Sequence, residues 1–256
     1  MDISCSNADG VFTIQFNRPH KKNAFTAAMY QAMSDAMHEA ERDASVRVIL
    51  FMGNTDAFTA GNDLEDFVKA PPTSPDAPVF RFMQAVADAS KPLVAAVAGN
   101  AVGIGTTLLL HCELVYAAEN ARFALPFSKL GLCPEFASSF LLPQLAGYQR
   151  AAEALLLGEA FGAEAAYDMG LVNRILPKGE LIAFALAQAA KLAALPAASV
   201  RTSKQLMKAQ QRAVVAAQMA EEIRNFAAML PAPAAREAVA AFLEKRKPDF
   251  SNLPQD

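Results

Sequence analysis

Two short segments each look built to offer a backbone N–H to the same oxygen atom. One is Phe58-Thr59-Ala60-Gly61-Asn62-Asp63-Leu64; the other is Gly99-Asn100-Ala101-Val102-Gly103-Ile104-Gly105-Thr106-Thr107. Each follows a strand-like apolar run and leads into a helix-like one. Paired main-chain donors of this kind stabilise a carbonyl oxygen as it becomes an enolate, with no metal required. The chemistry implied is that of activated acyl groups. Other chemistries find less support. Gly103-x-Gly105 is too short for a dinucleotide fingerprint. His20, His38 and His111 have no spacing that joins them to each other, to a serine or to a cysteine. His20 reads as a loop residue, His38 as an outer helix-face residue and His111 as a satisfied core or helix-end residue.

The elements that must position these segments alternate along the chain. Val11 to Phe16 alternates apolar and polar residues, as a half-buried strand does, and Asn17-Arg18-Pro19-His20 reads as a turn. From Thr26 to Arg42, Met29, Met33, Met37 and Ala40 recur on one helical face. Val46 to Met52 is a buried strand. Asp63 to Val68 is a short helix with its cap near Asp63. The proline-rich stretch Ala70 to Pro78 reads as a surface loop, with a mobile lid as the functional alternative. Phe80 to Ala89 is helical, Leu93 to Ala98 a buried strand, Ile104 to His111 helical and Leu114 to Ala118 a strand. Such alternation argues for an α/β architecture. Beyond Pro196 three stretches read as helices: Ser199 to Lys208, Ala213 to Met229 and Ala234 to Lys245. The expected division is a core over residues 1–195 and a helical section over 196–256. The apolar face Val214, Met219, Ile223 and Phe226 suits packing either on another subunit or on its own domain. No strong internal sequence repeat is visible.

The 256 residues are 53% apolar, enough for one large core with an appendage. A net charge of -3 provides no field to attract nucleic acid. Cys5, Cys112 and Cys133 lack metal-ligand spacing and read as reduced thiols of a cytoplasmic protein. Met1-Asp2-Ile3-Ser4 does not begin a secretory signal. The richest apolar stretch, Leu93 to Leu110, is broken by Gly99, Asn100, Gly103 and Gly105, so no membrane span is expected. Leu253-Pro254-Gln255-Asp256 is not a peroxisomal address.

Several motifs in order resemble the crotonase family of enoyl-CoA hydratases and isomerases. They are Asn17-Arg18-Pro19 with Asn23-Ala24-Phe25, Ala60-Gly61-Asn62-Asp63-Leu64, Gly99-x-Ala101-Val102-Gly103, Phe123 to Gly131, and Gly170-Leu171-Val172-Asn173. The resemblance implies a spiral of ββα units followed by helices that trimerise, giving trimers or hexamers. It implies a coenzyme A thioester as substrate, with CoA part of that substrate and no separate cofactor or metal. Hydratases of the family hold water between two glutamates, at the positions matching Thr107 and Phe127. Both glutamates are absent, and neither a hydroxyl nor a phenyl ring moves protons near neutral pH. A single carboxylate, Glu135 in Leu130-Gly131-Leu132-Cys133-Pro134-Glu135, resembles the base of the peroxisomal-type Δ3,Δ2-enoyl-CoA isomerases. On residue chemistry alone, Glu135 reads better as a first-turn residue favoured by a helix dipole, and it is the resemblance that turns the reading toward a base.

By that resemblance the thioester oxygen lies between the N–H groups of Asn62 and Ile104. Only their main-chain groups matter, and Gly61 and Gly103 let the backbone turn sharply and approach closely. Lys22, Ala24, Ala60, Gly61, Leu64, Gly103, Thr107 and Phe127 are the expected substrate-contacting positions. Leu132, Phe136 and Phe140 suggest an apolar setting that raises the pKa of Glu135. Met83, Leu109, Phe80 and Phe140 are candidates for an acyl pocket or plain core. Arg18, Lys21 and Lys22 are candidates for the CoA phosphates. Lys245-Arg246-Lys247 reads better as a helix C-terminus. The expected reaction is a double-bond shift from C3–C4 to C2–C3. The alternatives are ring opening or expansion of aromatic-derived CoA thioesters, hydration, or acyl-CoA binding without turnover.

Overall fold

The computed structural model describes residues 1–253 apart from 70, 73 and 75. Strands β1 (Ile3–Ala8) and β2 (Val11–Phe16) form a hairpin, followed by helix α1 (Ala27–Arg42), which Thr26 caps by accepting from the Met29 amide. Next come β3 (Val48–Met52), β4 (Ala57–Thr59), α2 (Leu64–Lys69) and α3 (Pro78–Ala87). The order β5 (Leu93–Val97), β6 (Asn100–Val102) and α4 (Ile104–Thr107) repeats that scheme. So does β7 (Leu114–Ala118), β8 (Arg122–Ala124) and α5 (Ser138–Ala146). The chain continues through α6 (Tyr148–Ala152), β9 (Phe161–Gly162), α7 (Ala163–Asp168), β10 (Arg174–Leu176) and α8 (Leu181–Ala193). It closes with α9 (Ala197–Lys208), α10 (Arg212–Met229) and α11 (Pro233–Leu243).

Two sheets result, in the orders β1-β2-β3-β5-β7-β10 and β4-β6-β8-β9. In the turns that begin with β3, β5 and β7 the first strand joins the larger sheet and the second joins the smaller one. That is the expected α/β spiral, repeated in backbone but not in sequence. Strands β2, β3, β5, β7 and β10 run parallel. The central strands β3, β5 and β7 are apolar on both faces, as parallel strands covered on both sides must be. Ile49 and Phe51 of β3 join the main core with Met33 and Met37 of α1 and Phe82 of α3. Val48 and Leu50 face the other way, onto Leu181, Ala185 and Ala189 of α8.

The structure departs from expectation at particular places. β1 and the short strands β4, β6 and β8 carry little periodicity in so few residues. The stretch after Ile104 is α-helical only to Thr107, then 3-10 helical over Leu108–His111. The stretch 70–78 lies partly outside the described residues, as does the C-terminal sequence at 254–256. Among the described residues no single helix is long and apolar enough to cross a membrane.

On α10 the apolar face packs largely on its own chain. Met219 and Phe226 are buried and Ile223 lines an internal cavity, while Val214 remains exposed. Ile223 and Phe226 thereby wall a small cavity together with Phe67 of α2 and Phe80 and Met83 of α3.

Candidate active site

The two amide-bearing segments are the continuations of neighbouring parallel strands. In the β4–β6 pair Thr59 lies opposite Ala101. Asn62 and Ile104 each follow those residues by three positions, just beyond the ends of the two paired strands. The segments touch closely in both directions. A Cβ on Gly61 would come 2.8 Å from the Val102 carbonyl oxygen, and one on Gly105 would come 2.4 Å from Thr59 Cγ2. Gly61 also has φ +84°, in the left-handed region that a side chain disfavours.

Neither amide is consumed by the fold. Phe25 donates to the Gly61 carbonyl and accepts from the Asp63 amide, which leaves the intervening Asn62 N–H pointing away from that partner. Ile104 is the first residue of α4, where no intrahelical acceptor exists. Among the described residues no hydrogen bond runs from either amide to a protein acceptor. The Tyr30 hydroxyl, buried on α1, donates to Asn62 Oδ1 and fixes that side chain.

The motif from Asn17 to Phe25 is a brace for this arrangement. Asn23 is fully buried, and its Nδ2 donates to the Ala57 and Phe58 carbonyls at 2.9 and 3.1 Å. Thr59 Oγ1 donates to the Asn23 carbonyl at 2.7 Å and accepts from the Gly61 amide. Arg18 Nη1 meets Asp63 Oδ2 at 2.7 Å and the Ala24 carbonyl at 3.0 Å. Burial works against the Asp63 carboxylate, but Arg18 and the Asp66 amide outweigh it and hold its pKa below the ordinary value. Asp63 also accepts from the Glu65 and Asp66 amides, as the cap of α2. Arg18 is thus an internal tie. Lys21 and Lys22 stay exposed, and the Lys22 carbonyl accepts from the Ala60 amide. Lys22, Ala24, Ala60 and Gly61 therefore lie on two backbone stretches that run side by side. Leu64 is half-buried at the start of α2.

Glu135 lines one cavity with Asn62 and Ile104. It lies in the loop before α5, three residues ahead of Ser138, and not in the helix's first turn as expected. A helix dipole therefore does not account for it. It is 9% exposed, and its Oε1 accepts from the Thr107 hydroxyl at 2.6 Å. Its Oε2 is buried with no hydrogen-bond partner among the described residues. The same small cavity is lined by Asn62, Ile104 and Glu135, with Phe67, Phe80, Met83, Ile223 and Phe226 among its apolar walls. Those walls come from distant elements. The expected neighbours Leu132, Phe136 and Phe140 do not line it, and Phe136 instead stacks on His111. Burial pushes the Glu135 pKa up to about 8; the Thr107 hydroxyl opposes the rise and the Glu222 carboxylate adds to it. A carboxyl so placed can take a proton from carbon and return it.

Of the acyl-pocket candidates, Phe80 and Met83 reach this cavity, whereas Leu109 is core. Phe127 does not line the cavity; it packs with Leu125, Leu142 and Leu155 in the apolar cluster that also holds the wall residue Phe226. A second cavity shares Asn62 and Phe67 and continues past Tyr30, Asp66, Pro71 and Pro72. His111 is a satisfied core residue: its Nε2 lies 2.8 Å from the Phe136 carbonyl, and burial lowers its pKa to about 3. Arg246 pairs with Glu237 and Glu244 of its own chain. Sequence reasoning missed Tyr30 and Glu222. Glu222 left a signal, a carboxylate inside the stripe Met219, Ile223 and Phe226.

Residues 6–253 match the family described as enoyl-CoA hydratase/isomerase. Enoyl-CoA delta isomerase 2 of Rattus norvegicus is 36% identical over 250 residues, which make up 95% of this chain and 64% of that protein. The chain thus spans somewhat less than two thirds of that relative's length. The 1,2-epoxyphenylacetyl-CoA isomerase of Escherichia coli (strain K12) is 35% identical over 252 residues, 94% of this chain and 95% of that one. A crystal structure of an enoyl-CoA hydratase/isomerase from Pseudoalteromonas atlantica T6c has a TM-score of 0.93 at 40% identity, covering 98% of this chain and all of that one. Matched end to end in sequence motifs and in spiral backbone alike, the chain belongs to the crotonase, or enoyl-CoA hydratase/isomerase, family.

Proposed function

We propose that this protein is an acyl-CoA isomerase that moves a double bond from C3–C4 to C2–C3, with Glu135 as its only base. One observation carries the reading: a buried carboxyl with one unpartnered oxygen lines an apolar cavity together with Asn62 and Ile104, whose amides are unspent. Ionised Glu135 takes a proton from C2 of a 3-enoyl thioester. The electron pair of that C–H bond moves into the thioester, giving a dienolate. Its oxygen is held by the Asn62 and Ile104 amides, each worth roughly 3–4 kcal/mol in the transition state. Glu135 then returns the proton to C4, and the double bond comes to rest at C2–C3. Every group this requires comes from the chain or the substrate. Hydration, by contrast, needs a second carboxylate to orient water, and positions 107 and 127 hold threonine and phenylalanine.

The test is isomerisation of 3-hexenoyl-CoA by the wild type and by Glu135→Gln. The variant is expected to lose turnover by roughly 100- to 10,000-fold while still binding thioester. Unchanged turnover refutes the assignment.

A second reading, ring opening or expansion of aryl-derived CoA thioesters, is favoured by the near end-to-end match to the epoxyphenylacetyl-CoA isomerase. Assaying an epoxide-bearing aryl thioester beside 3-hexenoyl-CoA separates the two. Tight binding without C2 proton exchange in deuterium oxide marks a non-catalytic acyl-CoA binder. Assembly as a homotrimer or homohexamer is part of the proposal. It is supported by exposed apolar side chains such as Tyr148, Leu156 and Leu157, and Leu206 and Met207 on α9. Light scattering at working concentration tests it.

A further inference from the structure

Glu222 is a carboxylate buried to 4% exposure in the middle of α10, and the mechanism above does not use it. Its side chain points at the turn that carries Glu135. Oε2 accepts from the Ala137 amide at 2.5 Å, and Oε1 accepts from the Ser139 amide at 3.0 Å and from the Ser139 hydroxyl. Gln218, one turn earlier on α10, donates to Ser139 Oγ at 2.9 Å. The turn needs an external hold. Phe136 and Ala137 are consecutive left-handed residues, with φ 63° and 56°, and neither is glycine. Ala137 is also the cap position of α5 and offers no side-chain acceptor to the helix's free amides. Glu222 supplies the missing acceptors from another element, and an ionised carboxylate alone offers both oxygens to three donors.

We infer that Glu222 is the positioning residue for Glu135, through which helix α10 aims the free carboxyl oxygen into the cavity between the Asn62 and Ile104 amides. The inference rests on the proposed role of Glu135 as base. Glu222 also acts through its charge: a second carboxylate nearby makes ionisation of Glu135 harder. The other titratable groups facing Glu135 are Tyr30 from α1 and Cys133 from its own loop. The Thr107 hydroxyl from α4 acts in the opposite sense, and α2 and α3 present Phe67, Phe80 and Met83. Glu222 is thus the one carboxylate facing Glu135 among these groups.

The experiment compares Glu222→Gln, Glu222→Asp and Ser139→Ala with the wild type. It reads kcat and KM on 3-hexenoyl-CoA across pH, and the titration of Glu135 by carboxyl carbon NMR, its signal assigned by its loss in Glu135→Gln. Glu222→Gln is expected to lower kcat by about 10- to 100-fold with KM within about threefold. The acid limb of kcat/KM and the NMR midpoint of Glu135 both move to lower pH, because a like charge has gone. Glu222→Asp keeps the charge, recovers part of kcat and leaves the limb in place. Ser139→Ala removes the hydroxyl that donates to Glu222 and accepts from Gln218, and keeps the amide donor. It lowers kcat with KM intact, and it keeps the test available if Glu222→Gln does not fold. Wild-type kcat in Glu222→Gln with an unmoved midpoint overturns the inference, as does wild-type kcat in Ser139→Ala when Glu222→Gln is unfolded. The midpoint is read without turnover, so its response is independent of whether Glu135 is the base. That reading fails separately, if Glu135→Gln turns over like the wild type.

Discussion

Glu135→Gln should make the protein more stable, and by an amount that depends on pH. Burial lifts the carboxyl from its ordinary 4.5 to about 8. The folded chain therefore favours the neutral acid more than the unfolded chain does. The stability tied to that neutral form is fully present below about pH 4.5 and is lost as pH rises through about 8. Each pH unit between those values carries about 1.4 kcal/mol, so the penalty in alkaline solution has a ceiling of about 5 kcal/mol. Relaxation around the charge returns part of it, leaving about 2–4 kcal/mol. Glutamine has nearly the same shape, is neutral at every pH, and still accepts from Thr107. Urea unfolding of the two proteins at equal concentration, at about pH 5, 7 and 9, measures the difference. The variant should match the wild type at the acid end and exceed it progressively toward the alkaline end. A gap that is constant with pH, or largest in acid, refutes the claim that Glu135 is held in a site hostile to its charge.

Ionised Glu135 is the reactive form, so kcat/KM on a 3-enoyl thioester should rise with pH to a limb near 8; a profile flat from acid to that value speaks against the base. Thr107→Val keeps the shape but removes the hydroxyl that favours the carboxylate. The limb should then move to higher pH and neutral turnover fall by about tenfold, and an unmoved limb refutes the coupling. Gly61→Ala brings a Cβ 2.8 Å from the Val102 carbonyl oxygen at φ +84°. It should cost about 1–3 kcal/mol in urea unfolding and about 100-fold or more in kcat, and a variant with normal turnover sinks the requirement for paired amides.

How far the sequence foretold this site depends on how local each feature is. The α1 stripe, the two-faced apolar runs of β3 and β5, and the three terminal helices are set by neighbours in the chain, and all were legible. The amide-bearing segments were legible because a glycine before a helix start is a local signal. Three-residue strands such as β4 and β6 are not, since their pairing exists only after the spiral closes. Nor could Leu132, Phe136 and Phe140 stand in for the real walls of the Glu135 cavity. Those walls come from α2, α3 and α10, and nearness in sequence says little about which apolar surface a loop residue faces.

Thr107 and Glu222 show the same limit in a sharper form. Thr107 reads in sequence as a missing carboxylate and a substrate-contacting position, yet in the fold it donates to the carboxylate that remains. Glu222 looks like one of two adjacent acids on an ordinary helix. Its place in the stripe of Met219, Ile223 and Phe226 turns it inward, toward amides that the left-handed turn at Phe136 and Ala137 leaves free. One acid sits in an apolar cavity with a single donor, while the other, also raised by burial, has three donors that oppose the rise. The two environments differ in how many donors oppose that rise, and the less supported carboxyl, Glu135, can pass a single proton between carbons without a second base. Moving either carboxyl onto an exposed helix face would restore ordinary acidity and remove that asymmetry.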